Sequence, residues 1–287
     1  MKMVEAKNLS HEYIERDEEG NVAKIFNAIE NIDIDVIKGQ FISILGHNGS
    51  GKSTFAKHLN ALLYPTEGTL FVGGLDCNNK KNTFDIRKNV GMVFQNPDNQ
   101  IIASVVDEDV GFGPENIGIP TNEIIERVEK SLKAVGMWKY KNKSPNNLSG
   151  GQKQRTAIAG VLAMEPSCIV FDEPTAMLDP NGRKEVIKVA KELNKEKNIT
   201  IILITHYMEE VVESDYVYVM DKGHVVMRGT PKEIFSEEEA LNKYRLSLPQ
   251  ITELARELRE EGMNIPKGIL TKEELILSLK RLKKEIN

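Results

Sequence analysis

The residues with the clearest chemistry form a glycine-rich segment that ends in a lysine and a hydroxyl side chain. Residues 46–53 have the sequence Gly-His-Asn-Gly-Ser-Gly-Lys-Ser, which fits the phosphate-binding pattern GxxxxGK[ST]. An apolar stretch precedes the segment and a helical pattern follows it, so backbone N–H groups and a helix N-terminus should face a phosphate. The residues expected to hold the nucleotide phosphates are Gly46, His47, Asn48, Gly49, Ser50, Gly51, Lys52, Ser53 and Thr54.

Three side chains at the end of this segment have separate expected roles. Lys52 should contact the β- and γ-phosphates, Ser53 should bind Mg²⁺ through its hydroxyl, and Thr54 should add a contact to the α-phosphate. The alternative is a chance glycine turn, which the strand and helix patterns on either side disfavour. The segment therefore predicts a nucleotide site.

Two adjacent carboxylates follow a second apolar stretch. Asp172 and Glu173 come directly after Ile-Val-Phe at positions 169–171, and ligands of open α/β sheets bind at the carboxyl ends of strands. Asp172 suits the Mg²⁺ shell, directly or through water, and Glu173 suits a general base acting on the attacking water. A solvated loop is the ordinary alternative for such a pair. Together with the phosphate-binding segment, the pair predicts nucleotide hydrolysis.

The string Leu-Ser-Gly-Gly-Gln at positions 148–152 lies between these two features. Small residues opening a helix expose backbone N–H groups to an anion, although a simple helix cap would look the same. In this position the string resembles the signature motif of ATP-binding-cassette (ABC) ATPases. The resemblance implies that Ser149, Gly150, Gly151 and Gln152 close over ATP held by a second subunit. It therefore implies ATP and a dimer together.

The same resemblance covers about residues 3–235 and assigns roles to four other residues. Gln95 resembles the glutamine that touches Mg²⁺ or water and senses a membrane partner, and His206 resembles the switch histidine that contacts the γ-phosphate and attacking water. Asp179 resembles the aspartate that links the two ATP sites across the dimer. Tyr13 resembles the aromatic residue that stacks on adenine. A structural histidine and a strand tyrosine are the alternatives for His206 and Tyr13. The implied catalytic set is Lys52, Gln95, Glu173 and His206.

A narrower resemblance is to the ATPase subunits of energy-coupling factor (ECF) transporters, which import vitamins and transition-metal ions. The strings that carry it lie at 93–100, 112–116, 150–155, 157–160 and 177–183. Two departures from the commonest cassette pattern, His47 in place of proline and Ala176-Met177 in place of Ser-Ala, fit one ECF paralogue. The resemblance implies a peripheral subunit at the cytoplasmic face of the cell membrane. Its implied partners are a second ATPase, more a paralogue than a copy, a transmembrane scaffold and substrate-capturing membrane subunits.

Composition limits the other classes of function. The 287 residues include 38 basic and 43 acidic ones, for a net charge of -5, which argues against a nucleic-acid partner. Apolar stretches such as 201–204 are far shorter than the roughly 20 residues that span a bilayer, and the first residues do not resemble a signal peptide. Cys77 and Cys168 belong to no metal-spaced cluster and suit a reducing cytosol. Any membrane role is therefore expected to depend on partners.

The order of patterns predicts an α/β fold, a P-loop NTPase core with a mostly parallel sheet. Strands are expected over 3–9, 32–37, 41–45, 90–94, 168–171, 200–205 and 216–220, and helices over 52–63, 124–134, 151–164 and 183–193. A helical insert of roughly 96–164 is expected within an ATPase domain of residues 1–245. Residues 246–287 should form a C-terminal helical region for dimer contact, with simple packing on the parent core as the alternative.

Several questions stay open on the sequence alone. Another class of ABC importer, a soluble cassette protein of translation or DNA repair, and a scaffold with an inactive nucleotide site are the rival functions. We also hypothesise that some acidic residues near Gln95 receive arginines of the scaffold, with a solvated acidic loop as the alternative. These residues are Asp98, Asp107, Glu108 and Asp109.

Overall fold

The computed structural model describes residues 1–286. Its strands are β1 (Lys2–Arg16), β2 (Val22–Ile37), β3 (Phe41–Leu45), β4 (Glu67–Val72), β5 (Leu75–Asp76), β6 (Val90–Val93), β7 (Cys168–Asp172), β8 (Thr200–Thr205), β9 (Tyr216–Asp221) and β10 (His224–Gly229). Its α-helices are α1 (Lys52–Leu59), α2 (Thr83–Asn89), α3 (Val106–Asn116), α4 (Thr121–Ala134), α5 (Gly150–Ala163), α6 (Pro180–Lys197), α7 (Met208–Val211), α8 (Pro231–Ser236), α9 (Glu238–Lys243), α10 (Gln250–Glu260) and α11 (Lys272–Ile286).

A six-stranded sheet lies at the centre in the order β10-β9-β3-β8-β7-β6. All of its neighbouring pairs are parallel except β9–β10. Because the central strands are covered on both faces, they are continuous apolar stretches, as in other parallel sheets. The expected mostly parallel α/β core is confirmed.

A second sheet, with all pairs antiparallel, has the order β2-β1-β4-β5. The sequence patterns did not separate this sheet from the first. Its strands are also longer than expected, since β1 continues to Arg16 and β2 begins at Val22. The two long strands form a ribbon that brings Tyr13 to the phosphate-binding loop.

Successive side chains of a strand point to opposite faces, and this divides the core into two layers. Ile202 and Ile204 of β8 pack with α1 and the antiparallel sheet. Ile201 and Leu203 pack on the other face, with buried residues of α3, α4, α5 and α6. The six-stranded sheet is therefore the middle layer of three. Because both of its faces are packed, the strand ends that carry the loops at its carboxyl edge are held in place.

The helix after the phosphate-binding loop is shorter than expected. The pattern predicted a helix to about residue 63, but α1 ends at Leu59. Ala61 adopts a left-handed conformation with φ 50°, which a continuing helix cannot contain. The Asn60 side chain donates a hydrogen bond to the Val90 carbonyl instead. Strand β6 is one residue shorter than expected and ends at Val93.

The C-terminal helices α10 and α11 have a small apolar core of their own. Ala255 and Leu275 are buried in it, with Ile265 and Ile269 from the segment between the helices. Leu254 of α10 lies outside this core and is 43% exposed. Dimer contact through this region remains a prediction. In the part of the chain that the structure describes, no helix is long and apolar enough to cross a membrane.

Candidate nucleotide site

The phosphate-binding loop begins where β3 ends and finishes at the first residue of α1. Two of its glycines are sterically required. A Cβ at Gly46 would lie 2.4 Å from the Met220 carbonyl oxygen, and one at Gly51 would lie 2.5 Å from the Ala28 carbonyl oxygen. Gly51 also has φ 98°, a conformation that side chains disfavour. The loop is therefore pressed against neighbouring backbone and has little freedom to collapse into the cavity in front of it.

Lys52 is buried at the base of this loop, with 3% of its surface exposed. Its ammonium donates hydrogen bonds of 2.9 Å to the carbonyl oxygens of Gly46 and His47. Its Nζ lies 3.4 Å from Oε1 of Glu173. Burial lowers the pKa of Lys52, and the Glu173 charge acts against that shift. The lysine is a positioned cation, and the two carbonyl oxygens that it contacts are weak acceptors compared with phosphate oxygens.

Ser53 and Asp172 form the part of the site that suits a magnesium ion. The Ser53 hydroxyl donates a 2.8 Å hydrogen bond to Oδ1 of Asp172, and Gln95 lines the same cavity as Ser53. Burial raises the pKa of Asp172, and the hydrogen bond from Ser53 opposes that shift. Hydroxyl, carboxylate and amide oxygens are the hard donors that Mg²⁺ binds. The residues present therefore fit the ion that the sequence predicts.

Glu173 lies between the lysine and the expected switch histidine. Its Oε2 is 3.1 Å from Nδ1 of His206, and only 12% of its side chain is exposed. The residue has φ 49°, and its backbone N–H donates to the Ile204 carbonyl. Because of this left-handed turn, the two carboxylates at the end of β7 contact different residues. Asp172 contacts Ser53, whereas Glu173 contacts Lys52 and His206. The structure thus brings Lys52, Glu173 and His206 together, with Gln95 along the same cavity.

The cavity in front of the loop has a volume of about 350 Å³. Tyr13 lines it, and the Tyr13 hydroxyl is 3.4 Å from Oγ1 of Thr54. Phe26, which the sequence did not single out, lies directly opposite Tyr13 across the β1–β2 pair and lines the same cavity. Directly opposite residues of an antiparallel pair share a face. The cavity therefore has an aromatic wall at one end and charged groups at the other.

The signature residues lie elsewhere on the chain's surface. Ser149 caps α5, since its hydroxyl accepts from the Gln152 N–H and the Gln152 side chain accepts from the Ser149 N–H. Ser149 and Gln152 line a different cavity, and no residue of 148–152 lines the cavity of the phosphate-binding loop. Asp179 caps α6 by accepting from the Gly182 N–H at 2.7 Å. The two groups of predicted nucleotide contacts therefore do not meet within one chain.

Comparison with known proteins assigns the family. A family model described as ABC transporter matches residues 29–176, just over half of the chain. The chain belongs to the ABC transporter family. This ABC chain is 56% identical over 281 residues to the energy-coupling factor transporter ATP-binding protein EcfA1 of Clostridium novyi, which covers 98% of this chain and 99% of the relative. At that identity and coverage, it also belongs with the ECF transporter ATP-binding proteins.

Solved structures agree with that assignment. A structure of cbiO1 from Clostridium perfringens, described as part of the ABC transporter complex cbiONQ, is 39% identical to this ABC chain with a TM-score of 0.74. The match covers 89% of this chain and 99% of that one. The cassette MJ0796, in a dimeric post-hydrolysis state bound to ADP and Pi, is 30% identical with a TM-score of 0.70, covering 80% and 99%.

Glu210 is a buried carboxylate of this ABC ATPase that the sequence did not reveal. It accepts 2.6 Å hydrogen bonds from the hydroxyls of Thr175 and Thr205. Thr175 follows Glu173 by two residues, and Thr205 directly precedes His206, so one carboxylate joins the two loops. Burial raises the pKa of Glu210, and the two hydroxyls partly offset that shift. The only sequence signal was an acidic residue four positions after the histidine.

Proposed function

We propose that this chain is one of two ATP-hydrolysing subunits that drive an ECF-type importer through a membrane scaffold. The observation that carries the proposal is the position of Glu173. Its carboxylate lies within 3.4 Å of Lys52 and 3.1 Å of His206, beside the cavity of the phosphate-binding loop. A carboxylate so placed can accept a proton from an attacking water.

ATP binding would first change the partners of Lys52. Phosphate oxygens carry more negative charge than the two carbonyl oxygens that the ammonium now contacts, and charge-assisted hydrogen bonds are about twice as strong as neutral ones. Ser50, Gly51 and the first N–H groups of α1 would surround the β-phosphate. Tyr13 and Phe26 would contact the base at the aromatic end of the cavity.

Ser53, Asp172 and Gln95 would hold Mg²⁺ beside the phosphates. When bound, the ion neutralises charge that develops on the transferred phosphoryl group. Asp172 would bind it in the ionised form, which the Ser53 hydrogen bond and the nearby Lys52 and Lys57 charges favour against the effect of burial. Glu173 then remains free to take a proton from the attacking water, and His206 would donate a hydrogen bond to the γ-phosphate.

A second cassette would complete the site. Ser149, Gly150 and Gly151 lie at the N-terminus of α5 on a surface away from the chain's own loop. The N–H groups of Gly150 and Gly151, in the first turn of α5, suit the γ-phosphate of an ATP bound to the other subunit. The ECF resemblance favours a paralogue as that subunit. Contact through residues 246–287 would hold the pair together when the ATP sites open.

A groove beside Gln95 suits a helix of the scaffold. Apolar side chains line it, and among them Ile102 is 62% exposed and Phe112 is 46% exposed. Asp109 also lines this groove, but its Oδ1 already accepts from the N–H groups of Ile102 and Ala103 at 2.8 and 3.0 Å. Charge reversal at Asp109 would therefore disturb the loop itself. Asp107 and Glu108 are better candidates for arginine contacts. They belong to α3, as Asp109 does, and they line a neighbouring cavity.

Co-purification with the scaffold tests this function. We would co-express the chain with a second ECF ATPase and a scaffold subunit, purify through a tag on the scaffold, and measure ATP hydrolysis by the complex. Ile102→Asp should lose the scaffold, whereas Ile25→Asp, at a position 55% exposed on β2, should retain it. Equal retention of both variants would contradict the docking site. A chain that hydrolyses ATP but never binds a scaffold would favour the soluble cassette function.

A further inference from the structure

His47 of the phosphate-binding loop has an oxygen atom at hydrogen-bonding distance from each ring nitrogen. Its Nε2 lies 2.6 Å from Oδ1 of Asp221, the last residue of β9. Its Nδ1 lies 2.7 Å from the carbonyl oxygen of Asn48. The His47 side chain is 38% exposed and that of Asp221 is 20% exposed. Both contacts are therefore partly protected from water.

These two distances determine which groups donate. A backbone carbonyl oxygen can only accept a hydrogen bond, and an ionised carboxylate can only accept. A neutral imidazole has a single N–H, so its other nitrogen would direct a lone pair at an oxygen less than 3 Å away. That arrangement is repulsive. An imidazolium donates from both nitrogens and satisfies both oxygens.

We propose that His47 is held as an imidazolium between Asn48 and Asp221, and that this charge fixes the phosphate-binding loop for nucleotide binding. The inference rests on the proposed nucleotide site. Asp221 begins the turn between β9 and β10, and that turn also reaches the loop through the Gly223 N–H, which donates to the Ser50 carbonyl at 3.1 Å. The ion pair of His47 and Asp221 is thus the charged part of a contact that joins the loop to this turn.

The charges around His47 set the direction of the effect. Asp221 favours the protonated ring, whereas the Lys52 ammonium, which donates to the His47 carbonyl, opposes it. Lys222 follows Asp221 in the turn, and His224 pairs with Glu30 at 3.6 Å on its far side. Nucleotide phosphates bring further negative charge to this loop. Protonation of His47 and nucleotide binding should therefore favour each other, and affinity should fall as pH rises and the proton is lost.

The protonation state can be observed directly in the full chain. The chain would be labelled with ¹⁵N-histidine, and long-range ¹H–¹⁵N correlations recorded at pH 7 without nucleotide. The His47 signals would be assigned by their loss in His47→Gln. We expect both ring nitrogens to show the protonated pattern, and Asp221→Asn to convert them to the neutral pattern. A neutral His47 in the wild type would overturn the proposal.

Nucleotide affinity supplies the functional test. The Kd for ADP with Mg²⁺ would be measured by calorimetry from pH 6 to pH 9 for the wild type, His47→Gln and Asp221→Asn. The glutamine can still donate to Asp221 but cannot be charged. Because both proteins bind the same nucleotide, the ratio of their Kd values at each pH removes the effect of nucleotide protonation. We expect the wild type to bind about threefold more tightly than His47→Gln at pH 6, and equally at pH 9.

Two other results would count against the proposal in different ways. A ratio of Kd values that stays constant over this pH range would overturn the link between His47 protonation and binding. If the wild type bound no ADP at any pH, the proposed nucleotide site itself would be wrong, and the ¹⁵N spectra would still report whether the ring is charged. The two failures are therefore distinguishable.

Discussion

Oε2 of Glu173 lies 3.1 Å from Nδ1 of His206, although 33 positions separate the two residues in the chain. They follow neighbouring parallel strands, since Asp172 is paired with Ile204 in register. Carboxyl ends of parallel strands meet at one edge of a sheet, where ligands of α/β proteins bind. The contact places a carboxylate and an imidazole where a water attacking the γ-phosphate would need a proton acceptor and a hydrogen-bond donor.

The role of Glu173 is tested by its amide. Glu173→Gln keeps the size and one oxygen of the side chain but cannot accept the proton, so ATP binding should persist while hydrolysis falls by about a hundredfold or more. ATP affinity and steady-state phosphate release would be measured on the complex of two cassettes. Glu209→Gln, at an exposed position on α7, is the matched control. Near wild-type hydrolysis by Glu173→Gln would make the general-base assignment wrong.

The signature motif is tested by placing a charge at Gly150. An aspartate at the first position of a helix stabilises the helix, and a Cβ at Gly150 would meet only Leu178 Cδ2, at 3.5 Å. Gly150→Asp should therefore fold normally but repel the phosphates of the partner's ATP and lower hydrolysis about a hundredfold. ATP binding to the isolated chain should not change.

Thr121→Asp is the control for Gly150→Asp. Thr121 is the first residue of α4 and is exposed, so the new charge has the same relation to a helix but lies away from the signature motif. Neither variant should unfold at a lower temperature than the wild type, and only Gly150→Asp should lose hydrolysis. Retained hydrolysis in Gly150→Asp would show that residues 149–151 do not complete an ATP site.

Glu210 should make stability depend on pH. Because burial raises its pKa above the ordinary value of 4.5, its contribution is full below pH 4.5 and is lost as pH rises through the raised value. Glu210→Gln is neutral at every pH, so its Tm should rise relative to that of the wild type as the pH increases above 4.5. Melting curves of both, with Glu209→Gln as the exposed control, would measure this. A constant difference in Tm would contradict the burial effect.

His58 should also make stability depend on pH, but here stability is lost as the pH falls. The ring is fully buried, its Nδ1 bonds the Thr54 carbonyl at 2.7 Å, and burial lowers its pKa from 6.5 to about 4. The stability it contributes is complete above pH 6.5 and is lost as pH falls towards 4, up to about 3 kcal/mol.

Phenylalanine substitutions test this effect. His58→Phe keeps a ring against His11, whose centroid is 4.7 Å from that of His58, but cannot be protonated. Denaturant unfolding at pH 7 and pH 4.5 should therefore show a smaller loss of stability in His58→Phe than in the wild type. His224→Phe, at a half-exposed position, should lose as much stability as the wild type. Equal losses in all three proteins would exclude His58 as the cause.

The sequence predicted the parts of the site that come from adjacent residues. The glycines, Lys52 and Ser53 form one continuous pattern, and Asp172 and Glu173 end one apolar strand, so local spacing was sufficient. The mostly parallel core and the ABC family were predicted correctly for the same reason. The individual roles of these site residues remain predictions.

Features that depend on distant packing were missed. Phe26 faces Tyr13 only because irregularities in β1 shift its register with β2 several times between Leu9 and Arg16, and sequence periodicity does not reveal such shifts. Glu210 is buried because α7 packs against β3 and β8, where its carboxylate accepts hydrogen bonds from Thr175 and Thr205. The end of α1 depends on a left-handed Ala61, a conformation for which alanine has no intrinsic preference.

The separation of the phosphate-binding loop from the signature helix α5 has a consequence for genetics. Each proposed ATP site takes its loop from one subunit and its signature residues from the other. A mutation in the gene of one subunit can therefore damage a site whose loop is encoded by the other gene. A subunit altered at Gly150 would still bind ATP and enter complexes, where it would disable the site built on its partner's loop. When expressed beside the wild-type gene, such an allele would be dominant and would lower transport according to its share of the assembled pairs.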